Sequence, residues 1–397
     1  MISLEEARSY VMGSCTRKTP VLTEVSEALG LVTAVDVIAE ESLPPFANTA
    51  MDGFAVRSSD LSETPTQLLI VETIAAGHNP SKVVGEGEAS RIMTGAPVPD
   101  GADAIVMVEK TTVEGDIVTV DTTVDPGNHI RPAGDDVAAG ETVFVEGTPL
   151  TAGHLGVLSS LGISQIETYP RLRVGVMSTG DELVEGNATL APGQIRDSNR
   201  RTLLSLLSSD GFEPVDLGLL PDDETLIEEA LVQGSRDCDA VITSGGVSMG
   251  DYDYVKEVLK RVGDMQWMQI AIKPAKPLAF GTIGDTPIFG LPGNPVSSMV
   301  SYELFGRSGL RSMMGFPQPV RPMIQGIAAT PLPRRPDGKI HFARVDVKYE
   351  GSELVAYSIS GQGSHMLAAM ARSNALAVLP DGDGCQVGDA VNLLLLH

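Results

Sequence analysis

Between residues 173 and 309 short β-branched or apolar runs alternate with amphipathic helical runs, and this rhythm constrains the fold more than any other feature of the chain. Strand candidates fall at 173–177, 213–217, 240–243, 266–272 and 288–290. Helix candidates fall at 199–209, 222–233, 254–262 and 296–309, the first stopped by Asp210-Gly211 and the second capped by Asp222 or Asp223. Strands that alternate with helices build a mostly parallel sheet covered by helices on both faces. Ligands of such sheets bind at the carboxyl ends of the strands, so the residues just after each strand candidate come first in a search for chemistry.

Those residues form a coherent set. Asp181 and Glu182 follow the first strand, Asp222 the second, and Asp251 and Asp253 the third. Carboxylates brought from separate strand ends to one crevice are hard oxygen donors of the kind that suits Mg²⁺ arriving with a phosphate. Each acid also has a simpler reading, since Asp222 can be a helix cap and Glu182 a solvated loop residue. The turn T-S-G-G-V-S-M-G at 243–250, which contains Gly245, Gly246 and Ser248, offers backbone N–H groups to an anion. It lacks the lysine of a P-loop and the spacing of a dinucleotide fingerprint. Lys273 and Lys276 lie in K-P-A-K-P, where two prolines limit the loop's wandering. The segment P-G-N-P-V-S, with Pro292, Gly293, Asn294 and Ser297, enters a helix whose positive end suits an anion. The three cation and glycine loops therefore read as an oxyanion or phosphate site.

The flanks read differently. Residues 3–12 and 21–29 have helical spacing, and 34–38 is extended. Residues 46–137 are mostly β, with runs at 68–73, 104–108, 117–121 and 142–145 before a helix at 154–161 with a cap candidate at Thr151. From Pro317 onward the helical pattern vanishes, and runs at 323–328, 341–349, 353–358 and 391–396 suggest a small β-barrel or sandwich. A chain of 397 residues exceeds one ordinary core, so two to four domains are expected.

Composition excludes several classes. A net charge of −24 disfavours nonspecific binding to nucleic acid or anionic membrane. It does not exclude an anionic substrate, because local lysines outweigh carboxylates farther away than the Debye length of roughly 8 Å. No apolar run reaches the roughly 20 residues of a bilayer span, and the first residues carry no leader pattern. Cys15, Cys238 and Cys385 lie far apart and suggest no disulfide framework, so the expected location is cytoplasmic. The six histidines show no zinc spacing, no G-x-S-x-G elbow exists, and His154 and His341 read as structural.

Eight segments in order resemble the molybdopterin molybdenumtransferases, the family of bacterial MoeA and the gephyrin E domain. They are P-P-F-A-N-T-A-M-D-G-F-A-V-R (44–57), R-I-M-T-G-A-P-V-P (91–99), I-R-P-A-G-D-D-V (130–137), S-T-G-D-E-L (178–183), I-R-D-S-N (195–199), T-S-G-G-V-S-M-G-D-Y-D-Y (243–254), I-K-P-A-K-P (272–277) and G-L-P-G-N-P-V-S (290–297). The resemblance implies a multidomain α+β and α/β protein. A discontinuous N-terminal dimerisation domain would span 1–45 and 138–170, with a β-rich domain inserted at 46–137. A central α/β molybdopterin-binding domain at 171–316 and a C-terminal β-barrel domain at 317–397 would follow.

It also implies a homodimer with a composite active site. Asp52, Thr94, Arg131 and Asp136 of one subunit would complete the α/β site of the other. The substrates would be adenylylated molybdopterin and molybdate, with Mg²⁺ required and AMP released. Glu182, Asp222 and Asp253 would bind the metal or orient substrate. Lys273, Lys276 and Ser297, with Arg344 and Ser364 from the barrel, would contact the oxyanion. The implied partners include the adenylyltransferase that makes the substrate and the downstream molybdoenzymes. The alternatives are a molybdopterin adenylyltransferase, a scaffold protein with a degenerate site, and an enzyme that inserts tungsten.

Overall fold

The computed structural model describes residues 1–245 and 254–396. Its centre is a six-stranded sheet in the order Glu213–Leu220, Arg173–Thr179, Ala240–Ser244, Thr286–Leu291, Pro277–Ile283, Asp264–Gln269. The first four strands run parallel, and the last two are antiparallel additions at one edge. Alternate residues of the parallel strands enter two different cores. Val176, Ile242 and Phe289 pack on one face with Leu203 and Leu207 of helix Asn199–Ser209. Met177, Val241 and Ile288 pack on the other with Ile227 and Leu231 of helix Glu224–Asp237 and with Val258 and Leu259 of helix Tyr254–Val262. The two-residue period of a strand divides its apolar side chains between the two helix layers.

The chain crosses from Arg173–Thr179 to the strand on one side and then returns to Ala240–Ser244 on the other. That reversal opens a crevice at the carboxyl ends of these two strands, above Gly180 and Gly245.

Two sequence expectations change here. The run at 266–272 divides into Asp264–Gln269, in the central sheet, and Ile272–Lys273, which pairs instead with Ile340–Glu350 of the barrel. The strand Pro277–Ile283 escaped notice because its proline and glycine resemble loop chemistry; Gly281 is required there, since an added Cβ would lie 2.0 Å from the Asp264 carbonyl oxygen. The helical spacing at 21–29 is also overridden. Val21–Glu24 is a strand paired with Gln165–Tyr169, and only Val25–Glu27 makes a short 3₁₀ turn. Cross-strand pairing decides such short segments more than their own periodicity.

Residues near the N-terminus meet residues beyond 140 in two small sheets, Val21–Glu24 with Gln165–Tyr169 and Val32–Thr33, and Val37–Ile38 with Thr142–Phe144. The intervening chain forms a six-stranded sheet of its own. At the C-terminal end, Ile340–Glu350, Glu353–Ser358, Met323–Ala328, Ala390–Leu395 and Ala375–Leu379 close into a barrel, because the last strand pairs back with the first. No helix among the described residues is long and apolar enough to cross a membrane.

Candidate functional site

The first strand of the central sheet ends at Thr179, and Gly180 follows with φ 148°, which turns the chain sharply. The turn sets Asp181 and Glu182 over the strand ends. The Asp222 backbone N–H donates to Asp181 Oδ1 at 3.1 Å, so the loops after two adjacent strands are tied together. Partial burial raises the Asp222 carboxyl pKa above its ordinary range, and the charges of Asp181 and Glu182 add to that rise. Three carboxylates therefore share one end of the crevice, and at least one is held at an electrostatic cost that a cation would relieve. The neighbouring cap belongs to Asp223, whose carboxylate accepts from the Leu226 N–H at 3.0 Å, leaving Asp222 out of that role. Among the described residues no preformed group of three metal-ligating side chains exists. Of the expected site residues, Gly246, Ser248 and Asp253 lie outside the described residues, as does Asp251.

The glycine loops form the middle of the crevice. Gly245 has φ 97°, and its N–H donates to the Leu291 carbonyl at 3.1 Å. A Cβ on Gly293 would stand 3.8 Å from the Gly245 Cα, so the two loops touch through bare backbone. Helix Pro295–Ser301 starts directly after Asn294, with a proline in its first turn, as helix starts favour.

The cations gather at a second place, where the central sheet meets the barrel. A cavity of about 710 Å³ is lined by Lys273, Lys276, Pro292, Asn294, Ser297 and Ser364. The barrel pairing sets Lys273 opposite His341. Ala275, between the lysines, has φ 71°, a left-handed conformation that an alanine adopts only under constraint. Ala275 is buried, the Ile270 N–H donates to the Lys276 carbonyl at 2.8 Å, and both lysine side chains stay exposed. Neither lysine side chain has a hydrogen bond or ion pair among the described residues. The Val296 N–H donates to the Ser364 carbonyl at 3.1 Å, which fastens the barrel loop to the start of the helix.

Arg344 does not line this cavity. Its side chain is fully buried beneath the 361–364 loop, and Nη2 donates to the carbonyls of Gly361 at 2.7 Å and Gly363 at 3.2 Å. Its Nε and Nη1 have no protein partner among the described residues, and burial lowers its pKa. In this conformation Arg344 supports the Ser364 loop from below.

Several lining residues were not singled out from the sequence as site residues. Arg335 brings a third cation with no partner among the described residues. Its neighbour Arg334 is held through Nη1 and Nη2 by Asp337, by Asp381 and by three backbone carbonyls, while its buried Nε has no partner among the described residues. Asp337, the one acid in the lining among the described residues, also accepts from Lys339 at 2.9 Å and contacts His341 Nε2 at 3.1 Å. The Lys339 and His341 bonds hold the Asp337 carboxyl down to about 2. Burial, with Arg334 and Lys273 nearby, lowers the His341 pKa despite its bond to Asp337. The prolines framing P-L-P-R-R-P-D-G-K were the available signal for this rim.

Asp52 and Thr94 sit together in turns at the edge of the inserted sheet, just before Gly53–Val56 and just after Glu88–Ile92, where Asp52 Oδ1 accepts from both the Thr94 N–H and its hydroxyl at 2.6 Å. Gly53 beside them has no space for a side chain, since a Cβ would lie 2.0 Å from the Val106 carbonyl oxygen. Arg131 lies on the strand Ile130–Arg131 paired with Asn48–Thr49, and the Asp136 N–H donates to the Leu43 carbonyl. Among the described residues no hydrogen bond or ion pair joins these four residues to the crevice or the cavity of the same chain.

A mostly parallel sheet with an acidic crevice at its strand ends and a cationic cavity at its junction with a C-terminal barrel, carried beside an inserted β sheet, has the layout of a multidomain α/β protein built around an anion site. Family profiles match along the chain: "MoeA N-terminal region (domain I and II)" at residues 2–162, "Probable molybdopterin binding domain" at 175–312 and "MoeA C-terminal region (domain IV)" at 325–396. The molybdopterin molybdenumtransferase of Haemophilus influenzae is 39% identical over 99% of this chain and 98% of its own length. Molybdopterin molybdenumtransferase 2 of Mycobacterium tuberculosis is 39% identical over 96% of each chain. The solved molybdopterin biosynthesis moeA protein of Pyrococcus horikoshii OT3 superposes with a TM-score of 0.84 at 29% identity, covering 100% of both chains. The chain belongs to the MoeA family.

Proposed function

We propose that this chain is the molybdenum-inserting transferase of molybdenum cofactor biosynthesis. It converts adenylylated molybdopterin and molybdate to the molybdenum cofactor and releases AMP. The observation that carries this reading is the junction cavity, in which Lys273, Lys276 and Arg335 lack partners among the described residues beside Ser297 in the first turn of helix Pro295–Ser301. Exposed cations beside the hydroxyls of Ser297 and Ser364 suit a tetrahedral oxyanion. The names of the full-length relatives support the same assignment.

In this reading Lys273 and Lys276 hold molybdate as point charges, and the hydroxyls of Ser297 and Ser364 orient it. The glycine turn beginning at Gly245 and the 292–294 loop receive the phosphate-bearing substrate along bare backbone. The acids at the other end of the crevice fit Mg²⁺ by donor chemistry. Their mutual repulsion is present without a finished cage, and Mg²⁺ normally binds through one or two carboxylates plus substrate phosphates. Glu182, Asp222 and Asp253 would hold it, and when bound it would neutralise charge on the phosphoanhydride. No covalent nucleophile is needed, because positioning and charge stabilisation serve phosphoryl chemistry.

We further infer the four-domain division given by the family pattern, a homodimer, and a cytoplasmic location. In the dimer, Asp52, Thr94, Arg131 and Asp136 of the second subunit approach the crevice, which accounts for their separation from it within one chain. The test is direct. Purified protein is incubated with adenylylated molybdopterin and Mg²⁺, and AMP is followed with and without molybdate. Molybdate-dependent AMP release with formation of metal-loaded cofactor is expected. Synthesis of the adenylylated pterin from ATP, with no molybdate-dependent AMP release, would overturn the assignment.

A further inference from the structure

The segment 197–200, D-S-N-R, touches all four parallel strands or the loops that follow them, near the carboxyl ends of three and at mid-strand Asp216 of the fourth. Asp197 accepts from the Ser178 hydroxyl at 3.2 Å, on the strand Arg173–Thr179. Arg200 pairs with Asp216 of the strand Glu213–Leu220, and with Glu185 at 2.7 Å. Asn199 Nδ2 donates to Ser244 Oγ at 2.9 Å, at the end of Ala240–Ser244, and to the Gly293 carbonyl at 2.7 Å, just beyond Thr286–Leu291. The segment is itself fixed: Arg200 Nε and its backbone N–H both donate to the Asp197 carboxylate, at 3.1 and 3.2 Å, and both side chains are more than nine-tenths buried.

We propose that Asn199 is a positioning residue for the reaction, setting the separation between the glycine turn at Gly245 and the anion loop at 292–297. Both hydrogens of its amide nitrogen are committed, one to each loop. Among the described residues no other side chain hydrogen-bonds to both. Strand pairing and the Gly245 N–H bond to the Leu291 carbonyl hold the loops up to Leu291, and beyond that point they touch through glycine backbone, so the Asn199 amide is the side-chain tie that reaches Gly293. Helix Pro295–Ser301, which carries Ser297 into the cavity, begins two residues after the Gly293 acceptor. A change at Asn199 therefore reaches the oxyanion contacts without Asn199 touching the oxyanion. This role rests on the molybdenum-insertion reading for its kinetic consequence, and on geometry for its binding consequence.

The decisive variant is Asn199→Asp, which keeps size and shape but removes both donors and sets a carboxylate against the Gly293 carbonyl. Misplacing reacting groups by an ångström costs up to about a hundredfold in rate. The expected result is a fall in kcat of at least about tenfold with KM for the pterin within about threefold. Molybdate affinity measured by calorimetry should weaken by about fivefold or more. Ser244→Ala cuts the other end of the same bridge and should lower kcat and molybdate affinity in the same direction by about threefold or more, and wild-type values in both would overturn the proposal.

A merely structural Asn199 would lower the melting temperature and leave kcat and molybdate affinity in place, and that outcome overturns the proposal. If Asn199→Asp does not fold, Asn199→Ser is judged by the same measurements. If wild-type protein binds molybdate but shows no molybdate-dependent AMP release, the proposed reaction fails while the affinity comparison still decides the role of Asn199. If wild-type protein binds no molybdate, both fall.

Discussion

The two ends of the ligand-binding face carry opposite charge problems. At the crevice, Asp181, Glu182 and Asp222 crowd together and raise the Asp222 pKa. At the junction with the barrel, Lys273, Lys276 and Arg335 face one cavity and pair with no carboxylate among the described residues, Asp337 in the same lining being bonded to Arg334, Lys339 and His341. The first region is prepared for a cation and the second for an anion. Neither local balance follows from the net charge of −24, which describes the distant surface. The difference teaches that like charges crowd at two separate places and are not paired with each other, and that the loops at Gly245 and Gly293 approach through backbone.

The comparison breaks first at the cationic end. Lys276→Ala should lower turnover by more than about a hundredfold, as removal of a preorganised charge contact does. A melting temperature unchanged within error would separate that loss from misfolding, and turnover near wild type would remove Lys276 from the site.

At the acidic end, Asp222→Asn should reduce Mg²⁺-dependent turnover by about tenfold or more. It should also leave the fold as stable or more stable at neutral pH. The sign follows from the raised pKa: the folded state penalises the ionised Asp222 at pH above that value and stops doing so once the group is protonated. Any stability advantage of the variant should therefore shrink as the pH falls through the Asp222 titration. Thermal melts from about pH 3 to about pH 8, which span the ordinary carboxylate value of about 4 and the range above it, would check this. Marked destabilisation at neutral pH would contradict it.

A smaller effect is expected at the rim. Arg335→Gln removes an exposed cation and should weaken molybdate binding by about fivefold, or ~1 kcal/mol. The same substitution at Arg334 should instead damage the fold, because that guanidinium joins Asp337, Asp381 and three backbone carbonyls. Equal and mild effects at both positions would erase the distinction between a free and a structural arginine.

The sequence made the α/β elements legible where local signals agreed with tertiary packing. The helices Asn199–Ser209 and Tyr254–Val262 have the bounds their periodicity indicates. The lysine loop and the P-G-N-P-V-S loop were readable because proline and glycine mark them, and the structure brings Lys273, Lys276, Asn294 and Ser297 to one cavity. The separation of Glu182 and Asp222 from that cavity was not readable, because it depends on which strand ends are neighbours in the sheet. Arg335 returns to the site only through barrel closure, and Asn199 acts only through loops 45 and 94 residues away. Arg344 shows the limit of a motif, since its position beside the Ser364 loop is kept while its side chain turns inward.

The most direct test is a crystal of the protein soaked with molybdate and examined by anomalous diffraction at the molybdenum edge. A peak bounded by Lys273, Lys276, Ser297 and Ser364, and absent from Lys276→Ala crystals treated the same way, is the predicted result. A peak among Asp181, Glu182 and Asp222, or none at the cavity while molybdate-dependent turnover persists in solution, would contradict it.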